Sequence, residues 1–134
     1  MTEIQGTPEV FIIEDSRLIA AALEEYLVEA GFRPVASVSS YSEALDRLLK
    51  IEPDACILDL QLKDARESGF GPGEEGRRLL SILNTRKIPT VIYSGHISSQ
   101  YNIESLHQTL RTVDKASSMD KVIEALIGLL EERQ

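Results

Sequence analysis

The sequence predicts an α/β protein built on a five-stranded, parallel, doubly wound sheet, and two features carry that expectation. The first is a set of short, wholly apolar runs, Val10-Phe11-Ile12-Ile13, Ala55-Cys56-Ile57-Leu58 and Val91-Ile92-Tyr93. They have the length and composition of strands covered on both faces. The second is the set of intervening segments, whose apolar residues recur at three and four, the period of helices that lay one face on a sheet. Regular alternation of the two implies right-handed crossovers, with helices on both faces.

The first strand, Val10 to Ile13, ends at Glu14-Asp15. Ser16 then offers an N-cap for a helix in which Leu18, Ile19, Ala22, Leu23, Tyr26, Leu27 and Ala30 follow helical spacing and Gly31 supplies the stop. A weaker strand runs from Pro34 to Val38. Ser40 and Glu43 have capping-box spacing ahead of Ala44, Leu45, Leu48 and Leu49, and Pro53 closes the second unit. The third strand, Ala55 to Leu58, again ends on an acid, Asp59. The charged, glycine-rich stretch Lys63 to Gly73 delays the third helix to about Glu74–Arg86. Strand four covers Pro89 to Tyr93 and ends at Ser94-Gly95, and a short, marginal helix is expected between His96 and Leu106. Strand five, Thr109 to Val113, leads into Asp114-Lys115, and Ser117 or Ser118 caps a last helix carrying Met119, Val122, Ile123, Leu126, Ile127 and Leu130.

Composition narrows the function. The chain of 134 residues has no internal repeat or low-complexity tract, which implies one domain with its core at about 10–131 and an N-terminal extension over 1–9. Its 22 acidic against 14 basic residues give a formal charge of -8, which opposes direct nucleic-acid binding. No apolar stretch approaches the roughly 18 residues of a membrane span, and the start, MTEIQGTPEV, lacks the features of a secretory signal. No membrane contact and a cytoplasmic location are expected. The single cysteine, Cys56, lies inside an apolar strand and reads as a buried hydrophobe in a reducing compartment. His96 and His107 have no Cys or second His at ligand spacing, so zinc is not expected.

In an open parallel sheet, ligands bind beyond the carboxyl ends of the strands. Here those ends carry Glu14-Asp15, Asp59, Ser94 and Lys115. Three carboxylates in one place repel one another unless a cation joins them. Mg²⁺ suits hard oxygen ligands combined with waters and a phosphate. Lys115 adds a positive charge fitted to a phosphoryl oxygen, and Ser94 adds a hydroxyl donor. The set fits phosphoryl chemistry on a carboxylate.

From these residues the chain resembles the receiver domain of bacterial response regulators, over roughly Val10 to Glu131. The resemblance rests on FIIEDS, CILDLQL, VIYSGH and VDKAS, in that order, at the ends of strands one, three, four and five. It implies a flavodoxin-like (βα)₅ receiver fold. It further implies that Asp59 is the phosphoacceptor and that Glu14 and Asp15 bind Mg²⁺ directly or through water. Gln61 would give the metal its backbone carbonyl, Ser94 would be the switch hydroxyl, and Lys115 would pair with the phosphoryl group. The implied donor is a sensor histidine kinase or a histidine phosphotransfer protein, and the implied output is contact with a downstream protein target, with no direct nucleic acid. With no DNA-binding or enzymatic domain before Gln134, a stand-alone module that catalyses only its own phosphorylation and dephosphorylation is expected.

Three positions depart from the resembled pattern. Thr112 stands where an aromatic is usual, three residues before the lysine, and neither Tyr93 nor Tyr101 is assumed to replace it. Ala116 replaces the usual proline, so a trans Lys115–Ala116 bond is expected, a cis bond before a non-proline residue costing about 3 to 4 kcal/mol. The segment after Asp59 is longer than usual by several residues. Two rival readings compete: an unphosphorylated pseudo-receiver that binds partners constitutively, and a small flavin-binding or phosphatase-like α/β enzyme. The latter wants a Ser/Thr/Gly-rich loop where Glu14-Asp15 stands, or a second acid where Gln61 stands.

Overall fold

A computed structural model describes residues 6–62, 73–95 and 109–133. The elements run β1 (Glu9–Ile13), α1 (Arg17–Glu29), β2 (Arg33–Val38), α2 (Tyr41–Leu48), β3 (Ala55–Leu58), α3 (Glu74–Thr85), β4 (Thr90–Ser94), β5 (Leu110–Asp114) and α4 (Asp120–Arg133). The strands form one sheet in the order β2-β1-β3-β4-β5, and every neighbouring pair is parallel. The expected segments Lys63–Gly73, apart from Gly73, and His96–Leu106 lie outside the described residues, as do Tyr101 and His107.

Alternation along each strand divides the core into two layers. Val10, Ile12, Ile57, Val91, Tyr93 and Val113 meet Leu23 and Leu27 of α1 and Val122 and Leu126 of α4 on one face. Phe11, Ile13, Cys56, Leu58 and Ile92 meet Ala44 and Leu48 of α2 and Leu79 and Leu83 of α3 on the other. β2 is an edge strand and mostly half-buried, which accounts for its weak apolar signal.

Local chemistry fixes the helix ends. The Ser16 hydroxyl accepts from the Ile19 N–H at 3.3 Å, and the Ser40 hydroxyl does the same for Glu43. Ser40 also donates to the Glu43 carboxylate at 3.1 Å, so the capping pair closes through its side chains. α1 ends in a Schellman turn: Gly31 has φ of 91°, its N–H meets the Val28 carbonyl and Phe32 N–H meets Leu27. α3 ends in the same way, with Ile88 N–H on the Leu83 carbonyl, but there the left-handed residue is Lys87 at φ of 59°. Arg86, at the end of α3, donates to the carbonyls of Leu48 at 2.6 Å and Ile51 at 3.1 Å, closing the C-terminus of α2. Of the two candidate serines before α4, it is Ser118 whose hydroxyl accepts from Asp120 N–H.

Four apolar residues depart from the expected core, Ala30 at the end of α1 being one of them. Leu18 and Leu49 are 85% and 87% exposed, and Tyr26 is at the surface. The buried stripe of α1 runs Ala20, Leu23, Leu27, and Leu18 falls two residues from its start, about 200° round the helix. Leu49 is the C-cap of α2, turned away from the stripe that Ala44 and Leu48 present.

Candidate functional site

The strand order reverses direction between β1 and β3, and at such a switch point the loops splay to opposite faces and leave a cleft. The residues following these two strands fill it. Glu14 continues β1: its N–H meets the Val38 carbonyl of β2, and the residue is buried. Asp59 continues β3, with its N–H on the Ile13 carbonyl at 2.9 Å, and it too is buried. Ser94 closes β4 and accepts Lys115 N–H on its carbonyl, which sets the lysine just beyond β5.

Three donors converge on the Asp59 carboxylate. Gln61 N–H reaches Oδ1 at 2.9 Å, the Ser94 hydroxyl reaches Oδ1 at 3.3 Å, and Lys115 Nζ reaches Oδ2 at 3.1 Å. Lys115 Nζ also lies 2.7 Å from Glu14 Oε1. That ion pair is the tightest contact the ammonium makes with either acid. Glu14 Oε2 accepts from Ser16 N–H at 3.0 Å. Glu14, Asp15 and Asp59 each offer a carboxylate oxygen within 4.8 Å of the others.

The electrostatics follow from this crowding. Burial pushes the Glu14 carboxyl from its ordinary 4.5 up to about 7, against the opposing pull of Lys115 and Ser16 N–H, and the neighbouring Asp59 charge adds to the rise. Burial alone would lower the Lys115 ammonium, but Glu14 and Asp59 together outweigh it and hold the group above its usual value. A single lysine thus serves two buried acids. A second cation would relieve the remaining charge crowding, and the carboxylate oxygens that Glu14, Asp15 and Asp59 bring within 4.8 Å of one another could hold it. The donor set, all hard oxygen, fits Mg²⁺.

Every sequence-predicted site residue thus falls in one cluster: Glu14, Asp15, Asp59, Ser94 and Lys115 by side chain, and Gln61 by its backbone N–H. Outside that set is Tyr93, whose buried ring lies 5.9 Å below Lys115 Nζ. Burial raises the Tyr93 hydroxyl. Thr112, in contrast, is half-buried on β5 opposite Ile92. The only sequence signal for Tyr93 is its place beside Ser94, which puts its ring on the opposite face of the sheet. The Lys115–Ala116 bond is trans, and Asp114 turns the chain there, its carboxylate accepting from Ala116 N–H at 2.8 Å. Cys56 is fully buried, and burial drives its thiol upward, as its strand position implied.

Fold and site define a single-sheet α/β domain with an acidic cleft at its switch point. The response regulator receiver domain profile matches residues 10–127, and the chain belongs to that family of two-component signalling domains. Among solved structures, SdrG from Sphingomonas melonis is 31% identical, covers 92% of this chain and 97% of its own, and superposes with a TM-score of 0.69. The Francisella response regulator 1452 receiver domain, 22% identical, shows the same fold at a TM-score of 0.75 over 96% of this chain and 100% of its own. A Bacillus subtilis uncharacterized transcriptional regulatory protein, YvfU, is 36% identical over 67 residues, 49% of this chain and 32% of that protein. An Archaeoglobus fulgidus protein-glutamate methylesterase/protein-glutamine glutaminase is 23% identical over 92% of this chain and 33% of its own length. The chain therefore spans about a third of the length of these curated relatives. Among the described residues, no helix is long and apolar enough to cross a membrane.

Proposed function

We propose that Asp59 accepts a phosphoryl group from a phosphohistidine on a kinase or phosphotransfer protein. The observation that carries this reading is the convergence of Lys115 Nζ, Ser94 Oγ and Gln61 N–H on one buried carboxylate flanked by Glu14 and Asp15. These contacts fix the orientation of the nucleophile before any donor arrives, which lowers the entropic part of the barrier. An Asp59 oxygen attacks phosphorus, the P–N bond to the donor imidazole breaks, and an acyl phosphate forms on Asp59.

Mg²⁺ would be held by Glu14, Asp15 and Asp59, with the Gln61 backbone carbonyl in the role that the family resemblance implies. Bound there, it supplies charge neutralisation for the transferring oxygens. Lys115, shared by Glu14 and Asp59 at rest, is released from part of that duty and pairs with a phosphoryl oxygen. Ser94 Oγ, already aimed at Oδ1, donates to another. The new charge then biases the surface around β4, β5 and their helices, and a downstream protein reads it. We assign residues 1–134 to one such module, working in the cytoplasm.

Intact-mass measurement after incubation with acetyl phosphate and Mg²⁺ tests the reading. One added phosphoryl group, absent in Asp59→Asn, is the expected result. An unchanged mass in the wild type would favour constitutive, unphosphorylated binding instead.

A further inference from the structure

The third residue of α3 is Gly76, a poor helix former at a position where almost any other residue would extend the helix more stably. Its surroundings explain it. A Cβ on Gly76 would lie 2.3 Å from the Leu60 carbonyl oxygen and 2.6 Å from the Leu60 Cα. Both are backbone atoms, so no side-chain rotation relieves the clash. The first turn of α3 therefore rests directly on the peptide that joins Asp59 to Gln61. That peptide sets the site, because Gln61 N–H reaches back to Asp59 Oδ1 at 2.9 Å while Asp59 N–H is tied to Ile13.

We propose that Gly76 is a positioning residue for the Asp59 site, its missing side chain letting α3 press the Leu60–Gln61 backbone into the conformation that orients the carboxylate. The inference rests on the reading of this cluster as a Mg²⁺ and phosphoryl site. A side chain at 76 displaces either the Leu60 peptide, which carries Gln61 with it, or the helix, which takes away the packing that holds that peptide in place. Packing alone predicts lost stability only. Positioning predicts lost site chemistry as well.

Gly128 in α4 is the matched control, since a Cβ there meets nothing within 4 Å. Gly76→Ala should weaken Mg²⁺ binding, followed by tyrosine fluorescence, by about tenfold, and slow acetyl phosphate labelling by a similar factor. Gly128→Ala should leave both unchanged. Leu83→Val, which loosens α3 far from Leu60, should lower the melting temperature and leave Mg²⁺ affinity unchanged. Hydrogen exchange of the wild type needs no variant to fold: Mg²⁺ should slow exchange of the α3 amides from Arg77 to Leu80. Wild-type Mg²⁺ affinity in folded Gly76→Ala, or α3 exchange indifferent to Mg²⁺, would overturn the proposal. A wild type that binds no Mg²⁺ would overturn the functional reading itself, and this inference with it.

Discussion

Lys115 stands closer to Glu14 than to Asp59, 2.7 Å against 3.1 Å, so the ammonium at rest is held first by the acid beside the proposed nucleophile. The arrangement restrains Lys115 within reach of Asp59 while keeping it partly engaged elsewhere. It also ties the charge of Glu14 to the position of the lysine.

Glu14 gives the protein a specific pH dependence. Its folded pKa, about 7, is above the ordinary 4.5, so the folded state binds the proton more tightly than the unfolded chain. The stabilisation from this group is complete below about pH 4.5 and declines as pH rises towards 7. Once pH has passed through 7 the loss is on the order of 3 kcal/mol. Denaturant unfolding across that window should show it, and Glu14→Gln should flatten the curve. Parallel curves for the two proteins would rule out Glu14 as the titrating group.

Mg²⁺ should bind more tightly at about pH 8 than at about pH 6, because the metal requires the deprotonated Glu14 carboxylate. At neutral pH, millimolar-scale Mg²⁺ should raise the melting temperature, since a ligand of the folded state stabilises by mass action. Asp15→Ala should remove most of that rise. Thermal denaturation with and without the ion checks both statements.

Asp59→Asn should fold, change stability by no more than about 1 kcal/mol, and accept no phosphoryl group. Losing the Asp59 charge also removes one cause of the raised Glu14 pKa. The pH midpoint of unfolding stability should therefore move down in this variant. Retained labelling would refute the nucleophile assignment.

Lys115→Ala leaves two buried carboxylates without their shared cation and should cost about 2 kcal/mol in metal-free buffer near neutral pH. Mg²⁺ should restore much of the loss, whereas phosphorylation should remain impaired. Denaturant titration with and without Mg²⁺ separates the two effects.

Lys87→Gly should stabilise the domain by about 1 kcal/mol, because the left-handed residue ending α3 is exposed and carries a Cβ that this conformation disfavours. Chemical denaturation measures it directly. No gain would mean that the entropy of Gly in the unfolded chain offsets the relief.

Sequence patterning was sufficient wherever a residue's environment follows from its period or its place at a strand end. The apolar runs mark β1, β3 and β4 because both faces of a central parallel strand are covered, and the polar residue after each run then falls in the cleft. The same reasoning overcounted Leu18, which lies nearly opposite the buried stripe of α1, and Leu49, one residue past the last buried residue of α2. It was silent on contacts between elements distant in sequence. Nothing in the string LDLQL announces that Leu60 meets Gly76, and nothing around Arg86 announces the carbonyls of Leu48 and Ile51. Such pairs are fixed by how helices pack on a sheet, which local periodicity does not encode.

The Arg86 contacts give α3 a mechanical character. At its far end the helix is fastened to α2 by two charge-assisted hydrogen bonds. At its near end it packs on the Leu60 peptide, and Gly73 gives it no side-chain N-cap. Between the two ends, Leu79 and Leu83 hold the helix on the sheet. Twelve residues of helix span about 18 Å, so α3 joins the Leu60 backbone beside Asp59 at one end to the C-terminus of α2 at the other. The two ends of one helix thus tie the backbone of the acidic cleft to a part of the domain that has no residue in it.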